Sequence, residues 1–191
     1  LFDAPKLVPT DPQTIARRMR AFGYTREELK MILTPMGLNG QEPVGSMGND
    51  TPLAVLSERS KLLFQYFKQL FAQVTNPAID PLREGLVMSL MAFTGRKQNL
   101  LDETPQHCRQ LKLPHPILTN EDVERLRCVR RGDFRVATVP ALFDVDTMNP
   151  VDAMRRGLET LINSVEKAIR DGASLVIISD RQVSEVKAPI P

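Results

Sequence analysis

The longest sustained pattern of apolar and polar positions runs from Lys61 to Leu90, KLLFQYFKQLFAQVTNPAIDPLREGLVMSL. In its first half Leu63, Phe67, Leu70, Phe71 and Val74 recur at helical spacing, while Lys61, Gln65, Lys68 and Gln69 form a narrower polar face. This predicts a largely buried helix. The break Gln73-Val74-Thr75-Asn76-Pro77 ends it, because a proline excludes the helical region for the residue before it. A helix started at Asn76 would put Pro81 where a backbone donor is required, so Asp80 is expected to cap the next helix, with Pro81 at its first position. Leu82, Leu86, Leu90 and Phe93 would line that helix, and Gly85 in its middle costs about 1 kcal/mol relative to alanine. The expected product is two core helices joined by a rigid elbow that displays Thr75 and Asn76.

Upstream, Asp11 with Pro12 starts a helix in which Ile15, Met19 and Phe22 share a face, and Gly23 closes it in the left-handed position. Thr25 and Glu28 form a capping box, Tyr24 can staple onto Leu29, and Leu29, Ile32 and Leu33 face inward until Pro35 breaks the pattern. The Gly-rich stretch from Gly37 to Thr51 reads as a long loop before the short apolar segment Leu53-Ala54-Val55-Leu56. Within it, Gly45-Ser46-Met47-Gly48 could offer backbone N-H groups to an anion, but it lacks the spacing of a Walker loop or a dinucleotide fingerprint. Turn glycines are the plainer reading. Thr94 to Pro116, with Gly95, Pro105, Pro114 and Pro116, is expected to be a surface excursion with little regular structure. Thr119, between Leu118 and Val123, starts another short helix, and the arginines from Arg125 to Arg131 read as a solvated face with its turn, a phosphate site being the alternative.

The last third changes period. Phe134 to Phe143, FRVATVPALF, reads as a strand interrupted at Pro140. Asn149 and Pro150 start a long helix with Val151, Met154, Leu158, Leu161, Val165 and Ile169 on one stripe, closed by Gly172. The apolar strand SLVIIS follows from Ser174, which makes a parallel beta-alpha-beta unit with an expected right-handed crossover. Ser179-Asp180 falls at the carboxyl end of that strand, where alpha/beta folds place ligands, so one reading of the chain is a stand-alone flavin- or phosphate-binding alpha/beta module using this strand end or Gly45 to Gly48. The fold class is therefore α/β, with a helix-rich part over 1–131 and a beta-alpha-beta part over 132–191. A buried parallel strand so near Pro191, and an opening at Leu1, lead to the expectation that the chain is cut from a larger protein.

Composition narrows the function classes. The 191 residues carry a net charge of +2 with both signs interspersed, and tryptophan is absent, so neither a phosphate-tracking surface nor a base-stacking platform is expected. No apolar run approaches the roughly 20 residues of a membrane span, and no signal peptide is evident, so no membrane partner is expected. Cys108 and Cys128 are the only thiols, and His107 and His115 the only imidazoles. Their spacing is not that of a zinc site, and an iron-sulfur cluster usually takes more cysteines. His107-Cys108 offers a nucleophile beside a base, but sequence neighbours seldom face each other productively and no orienting third group is evident.

PVGSMGND followed by TPLAVLSERSKLLFQYFKQLFAQVTNPAIDPLREGLVMSL resembles the central domain of the large subunit of glutamate synthase. NLLDETPQHCRQLKLPHPILTNEDVERLR and GASLVIISDRQVSEVKAPIP extend the resemblance over nearly the whole chain, 1–191, as a central domain incomplete at its C-terminal end. Asn49, Ser60, Ala78 and Gly85 depart from the usual family pattern. The resemblance implies an N-terminal glutaminase domain that releases ammonia and a tunnel that carries it to an FMN barrel, where 2-oxoglutarate becomes glutamate. It also implies that this domain joins the two and resembles a degenerate FMN-type TIM barrel. FMN and an iron-sulfur cluster would belong to the parent enzyme, with FAD on a partner subunit in some forms, and no cofactor or catalytic residue to this segment. The parent would work with a small reductase subunit or ferredoxin, in the cytoplasm or a plastid. Thr75 and Asn76 match the family's narrow tunnel entrance. A conduit for neutral ammonia needs small polar partners in a rigid, narrow setting, which a proline-locked turn supplies.

Overall fold

A computed structural model of the chain describes residues 6–7, 9–41, 55–56, 58, 63–67, 82–132 and 134–191. Its contacts fall into two units, one of Leu1–Pro9 with Ile79–Ile190 and one of Thr10–Ala78 with Pro191. Each is described by itself.

In the second of these, helix α1 spans Pro12–Ala21. The Asp11 carboxylate caps it, accepting from the N-H groups of Gln13 at 3.2 Å and Thr14 at 2.9 Å, and Gly23 leaves it with φ 74°. The capping box at Thr25 also forms as expected. Thr25 Oγ1 accepts from Glu28 N-H at 3.1 Å, and the Glu28 carboxylate accepts from Thr25 N-H at 2.7 Å. Pro35, however, does not break the helix that follows. The chain winds through α2 (Arg26–Glu28), a π-helical turn (Leu29–Leu33) and α3 (Thr34–Asn39), and stops only at Gly40, φ 62°. The wider turn explains the tolerance. Thr34 N-H donates to the Leu29 carbonyl five residues back, and Pro35 falls at the start of α3, where a missing donor is harmless. The Thr34 hydroxyl donates to the same Leu29 carbonyl at 2.7 Å. Leu29 and Ile32 are half-buried, whereas Leu33, expected inside, is exposed.

The buried helix expected over 61–74 is described only at 63–67. There Leu63–Tyr66 form a 3-10 turn, and Leu63 and Phe67, the latter 75% exposed, are not core. A 3-10 turn stacks positions three apart, so the 3.6-residue spacing does not hold over Leu63–Tyr66, and the rest of the expected stripe lies outside the described residues. The elbow itself lies outside the described residues.

The larger unit begins with a correction of the same kind. The helix expected from Asp80 to Phe93 shrinks to α4 (Glu84–Val87), with Leu82, Leu86 and Leu90 exposed. Phe93 belongs to strand β1 (Ala92–Thr94), which pairs antiparallel with β2 (Leu111–Leu113), Ala92 opposite Leu113 and Thr94 opposite Leu111. The stretch after Thr94 therefore has more regular structure than expected: β2 and a 3-10 turn at Pro105–Cys108. The alternation in Leu111-Lys112-Leu113 is the local cause, since one face of each strand must be covered. Thr119 then starts α5 (Asn120–Arg127), sharing a capping box with Asp122.

The strand, helix and parallel strand of the beta-alpha-beta unit form as read. Strand β3 (Val136–Pro140) runs parallel to β5 (Leu175–Ser179), from Val136 opposite Leu175 to Pro140 opposite Ser179. Helix α6 (Pro150–Arg170) crosses between them and ends before Gly172, φ 91°. At Pro140 the strand changes partner. Ala141 N-H still donates to the Ser179 carbonyl, but Ala141's own carbonyl accepts from Ile190, and β4 (Leu142–Asp144) then pairs antiparallel with β6 (Lys187–Pro189). Proline cannot donate to a ladder, so the switch falls where one bond is already missing. Val129, fully buried, with Val139, Ala141 and Ala153 form the tightest core among the described residues.

Helix α6 is rotated from its expected stripe. Met154, Leu161 and Val165 are half-buried, but Val151, Leu158 and Ile169 are exposed, and the buried edge runs through Ala153 and Gly157. Gly157 sits so close to β4 that a side chain there would overlap Phe143 Cβ. Small residues set the approach distance, and Val151, Leu158 and Ile169 turn outward. The described residues thus form a mixed α/β fold with one parallel and two antiparallel strand pairs.

Candidate functional site

Thr75 and Asn76, and the glycine stretch Gly45 to Gly48, lie outside the described residues. The remaining candidates lie in the larger unit, and the structure does not gather them into one centre.

Ser179-Asp180 ends β5 as expected, but the turn is tied down. The Ser179 carbonyl is taken by Ala141 N-H at 2.9 Å, the Asp180 carbonyl by Val183 N-H at 3.1 Å, and Ser179 Oγ accepts weakly from Arg181 N-H at 3.4 Å. Arg181 reaches across to donate to Asn120 Oδ1 in the first turn of α5, at 2.6 Å. The chain after β5 then folds back as β6, with no helix opening onto the strand end. A flavin or nucleotide phosphate would need such N-H groups. Asp180 presents an exposed carboxylate with no hydrogen bond or ion pair among the described residues.

His107 is a clamp rather than a base for Cys108. Its Nε2 lies 2.9 Å from the Asn99 carbonyl, and its Nδ1 2.9 Å from the Thr104 carbonyl and 3.2 Å from Thr104 Oγ1. Both ring nitrogens are engaged by the loop between β1 and β2. Cys108 and Cys128 are exposed free thiols, and no group of three or more metal-ligating side chains is assembled among the described residues.

The arginine run divides. Arg125 pairs with Glu121 and Asp122, and Arg127 with Glu124 at 3.2 Å, all within α5. These are surface helix pairs of small energetic weight. Asp122 also accepts from the Thr119 hydroxyl and N-H. The Thr119 hydroxyl, more than the backbone bond or the Arg125 charge, holds its carboxyl below its ordinary value. Arg130 and Arg131 lie past the helix, outside this network. Sequence reasoning missed Gly95 and Gly157, whose roles depend on partners distant in the chain. The alternation at Leu111 to Leu113 was the one local signal of the strand pair that Gly95 follows.

What these elements define is an α/β domain organised on a single parallel beta-alpha-beta unit, with helices preceding it. The chain belongs to the glutamate synthase central domain family, whose model matches residues 17–191. It is 43% identical over 178 residues to the ferredoxin-dependent glutamate synthase 2 of Synechocystis sp., a match covering 93% of this chain and 11% of that protein. The NADPH glutamate synthase large chain of Bacillus subtilis is 45% identical over 174 residues, covering 91% of this chain and 11% of the relative. The NADH glutamate synthase of Schizosaccharomyces pombe is 40% identical over 190 residues, 98% of this chain and 9% of the relative. The chain thus spans about a tenth of the length of the curated relatives it matches. No described helix is long and apolar enough to cross a membrane.

Proposed function

We propose that the chain is the connecting domain of a glutamate synthase large subunit, joining a glutaminase domain to an FMN synthase barrel of the same polypeptide. The observation that carries this reading is the collinear match over residues 17–191 to one family's central domain. The relatives' names span ferredoxin, NADPH and NADH forms, so the shared segment serves a step common to all three rather than a particular electron donor. The parent enzyme would convert L-glutamine and 2-oxoglutarate to L-glutamate. FMN and an iron-sulfur cluster would sit in its other domains, and a small reductase subunit or ferredoxin would deliver electrons, with FAD on the partner subunit in some forms. The site is the cytoplasm or a plastid, the latter in line with a chloroplastic relative. Residues 1–131 supply the helical and loop part of the connector, and 132–191 a remnant of a degenerate FMN-type barrel. The segment by itself turns over no substrate.

Thr75 and Asn76 line the ammonia tunnel in this reading. A hydroxyl and a carboxamide can each donate to and accept from neutral ammonia without protonating it. The test is to place Phe at either position in the complete enzyme and to measure glutamine hydrolysis and glutamine-dependent glutamate formation separately. Hydrolysis is expected to continue while glutamate formation falls behind. Tight coupling retained in both variants would remove the tunnel role from these residues.

A further inference from the structure

Helix α6 carries a second apolar face beside the edge that packs on β4. At 3.6 residues per turn, Val151, Leu158, Ile162 and Ile169 all fall within about 20° of one line, roughly 27 Å long, drawn along the helix. Their exposures are 70%, 43%, 50% and 58% respectively, so the line is open from end to end. A lone exposed leucine needs no explanation, but a continuous apolar stripe along a 21-residue helix marks a contact surface.

The stripe is symmetric about its midpoint. Its spacings are seven, four and seven residues, so reversing the helix about Thr160 exchanges Val151 with Ile169 and Leu158 with Ile162. An antiparallel copy of the same helix therefore sets the same four apolar residues at the same levels. The flanks match under the same reversal, since like flanks meet across a two-fold axis. On the flank toward the buried edge, half-buried Met154 falls within about 1.5 Å of the level of Val165 in the other copy, so that side stays apolar. On the opposite flank Arg155 falls equally near the level of Glu166 in the other copy, and the two charges are opposite. Arg155 is held only by Asp152 at 3.3 Å, and Glu166 only by Arg170 at 3.8 Å, in exposed pairs on the same helix. Pairs of this kind carry little energy, so both groups can turn to a facing helix. Glu159, the like charge nearest the axis, lies about 80° round from the stripe and so at the solvent rim.

We propose that α6 pairs antiparallel with α6 of a second copy of this chain, across a two-fold axis level with Thr160. Val151, Leu158, Ile162 and Ile169 form the seam, and Arg155 of each copy pairs with Glu166 of the other. An unrelated helix could cover an apolar stripe of this length, but it would not require the stripe and both its flanks to map onto themselves when reversed. A two-fold contact of this kind is closed, so it yields dimers rather than filaments. The proposal does not depend on the connecting role.

The test is sedimentation equilibrium on the complete polypeptide that carries this chain. A monomer–dimer equilibrium is expected. Leu158→Lys puts a charge on the seam and should raise the dissociation constant tenfold or more, whereas Lys167→Gln, on the far side of the helix, leaves it unchanged. Arg155→Glu and Glu166→Arg should each raise it at least threefold, and the two together should bring it back near the original value. Within one copy these positions are about 16 Å apart and cannot compensate each other, so the recovery reports a contact between copies. A polypeptide that stays monomeric at every concentration overturns the proposal and leaves the stripe to another domain of the same chain. A dimer that Leu158→Lys and the single reversals leave intact overturns it too, by placing the association elsewhere. Failure of the paired reversal to recover the dimer is the third refuting result.

Discussion

Replacing Gly157 by alanine tests the packing of α6 on β4 most directly. In an open helical position the change would favour folding by about 1 kcal/mol through helix propensity alone. Here the added methyl would overlap Phe143 Cβ, and would lie 3.2 Å from Phe143 Cα and 3.4 Å from Cγ. Carbon atoms prefer about 3.5 to 4.0 Å, and Cα and Cβ cannot be rotated aside by a change of rotamer. The helix or the strand must therefore shift. Overpacking of this kind costs about 1 to 3 kcal/mol, and a clash with backbone-fixed atoms belongs at the upper end. After the propensity gain the net expectation is destabilisation by about 1 to 2 kcal/mol. Urea denaturation of the 191-residue chain, followed by far-UV circular dichroism, should show the midpoint lowered by roughly 0.5 to 1 M at an ordinary m-value. Gly85→Ala is the control, since a Cβ there meets nothing within 4 Å. It should leave stability unchanged or raise it. Phe143→Ala removes the ring but keeps Cβ, so it should not rescue Gly157→Ala. If Gly157→Ala behaves like Gly85→Ala, or if loss of the ring restores it, the close approach of α6 to β4 is not what the glycine provides.

Two helix starts yield further expectations. Thr25→Ala removes the hydroxyl that accepts from Glu28 N-H, and should cost about 1 kcal/mol and speed exchange of the Glu28 amide, whereas Thr25→Ser preserves both. Asp122 is stabilised as a carboxylate by Thr119, so its contribution is fully present above the ordinary carboxylate range and is lost as pH falls through the lowered folded value. A carbon-13 titration should place the Asp122 midpoint below 3.8, and Thr119→Ala should move it upward; no upward movement would show that the hydroxyl is not the main cause.

How much of this was readable in advance depended on how far apart the deciding residues lie in the chain. Asp11, Thr25 and Thr119 act on backbone groups within three residues, and each helix start forms as the sequence indicates. The beta-alpha-beta unit was legible for a related reason, because a strand, a crossover helix and an apolar strand leave few topologies open. Pro35 misled because its rule assumes an α-helical ladder, and the π turn before it supplies a different one. Phe93 misled because helical spacing over 82, 86, 90 and 93 says nothing of a strand partner at 111–113. The candidate site was least legible of all. Arg96 and Arg109 carry no shared motif, and only the fold brings both to the lining of one cavity. Thr75 and Asn76 drew attention through the proline spacing around them, yet their assignment to a tunnel came from family resemblance.

The rotation of α6 shows why hydrophobic pattern and packing part company within one correctly placed element. Transfer free energy rewards burying Val151, Leu158 and Ile169, about 1.5 to 3 kcal/mol for each large side chain, and an apolar stripe through them is the natural core face by that measure. The backbone distance to β4, however, is set by the smallest residues on the contacting edge. With Ala153 and Gly157 facing the sheet, the helix comes close enough for Phe143 to pack directly on its backbone, and a rotation that buried Leu158 instead would hold the two elements apart. Periodicity located the helix and its ends, since those depend on which positions are apolar. The face it turns inward follows from which positions are small, and that becomes visible only when the opposing strand is in place.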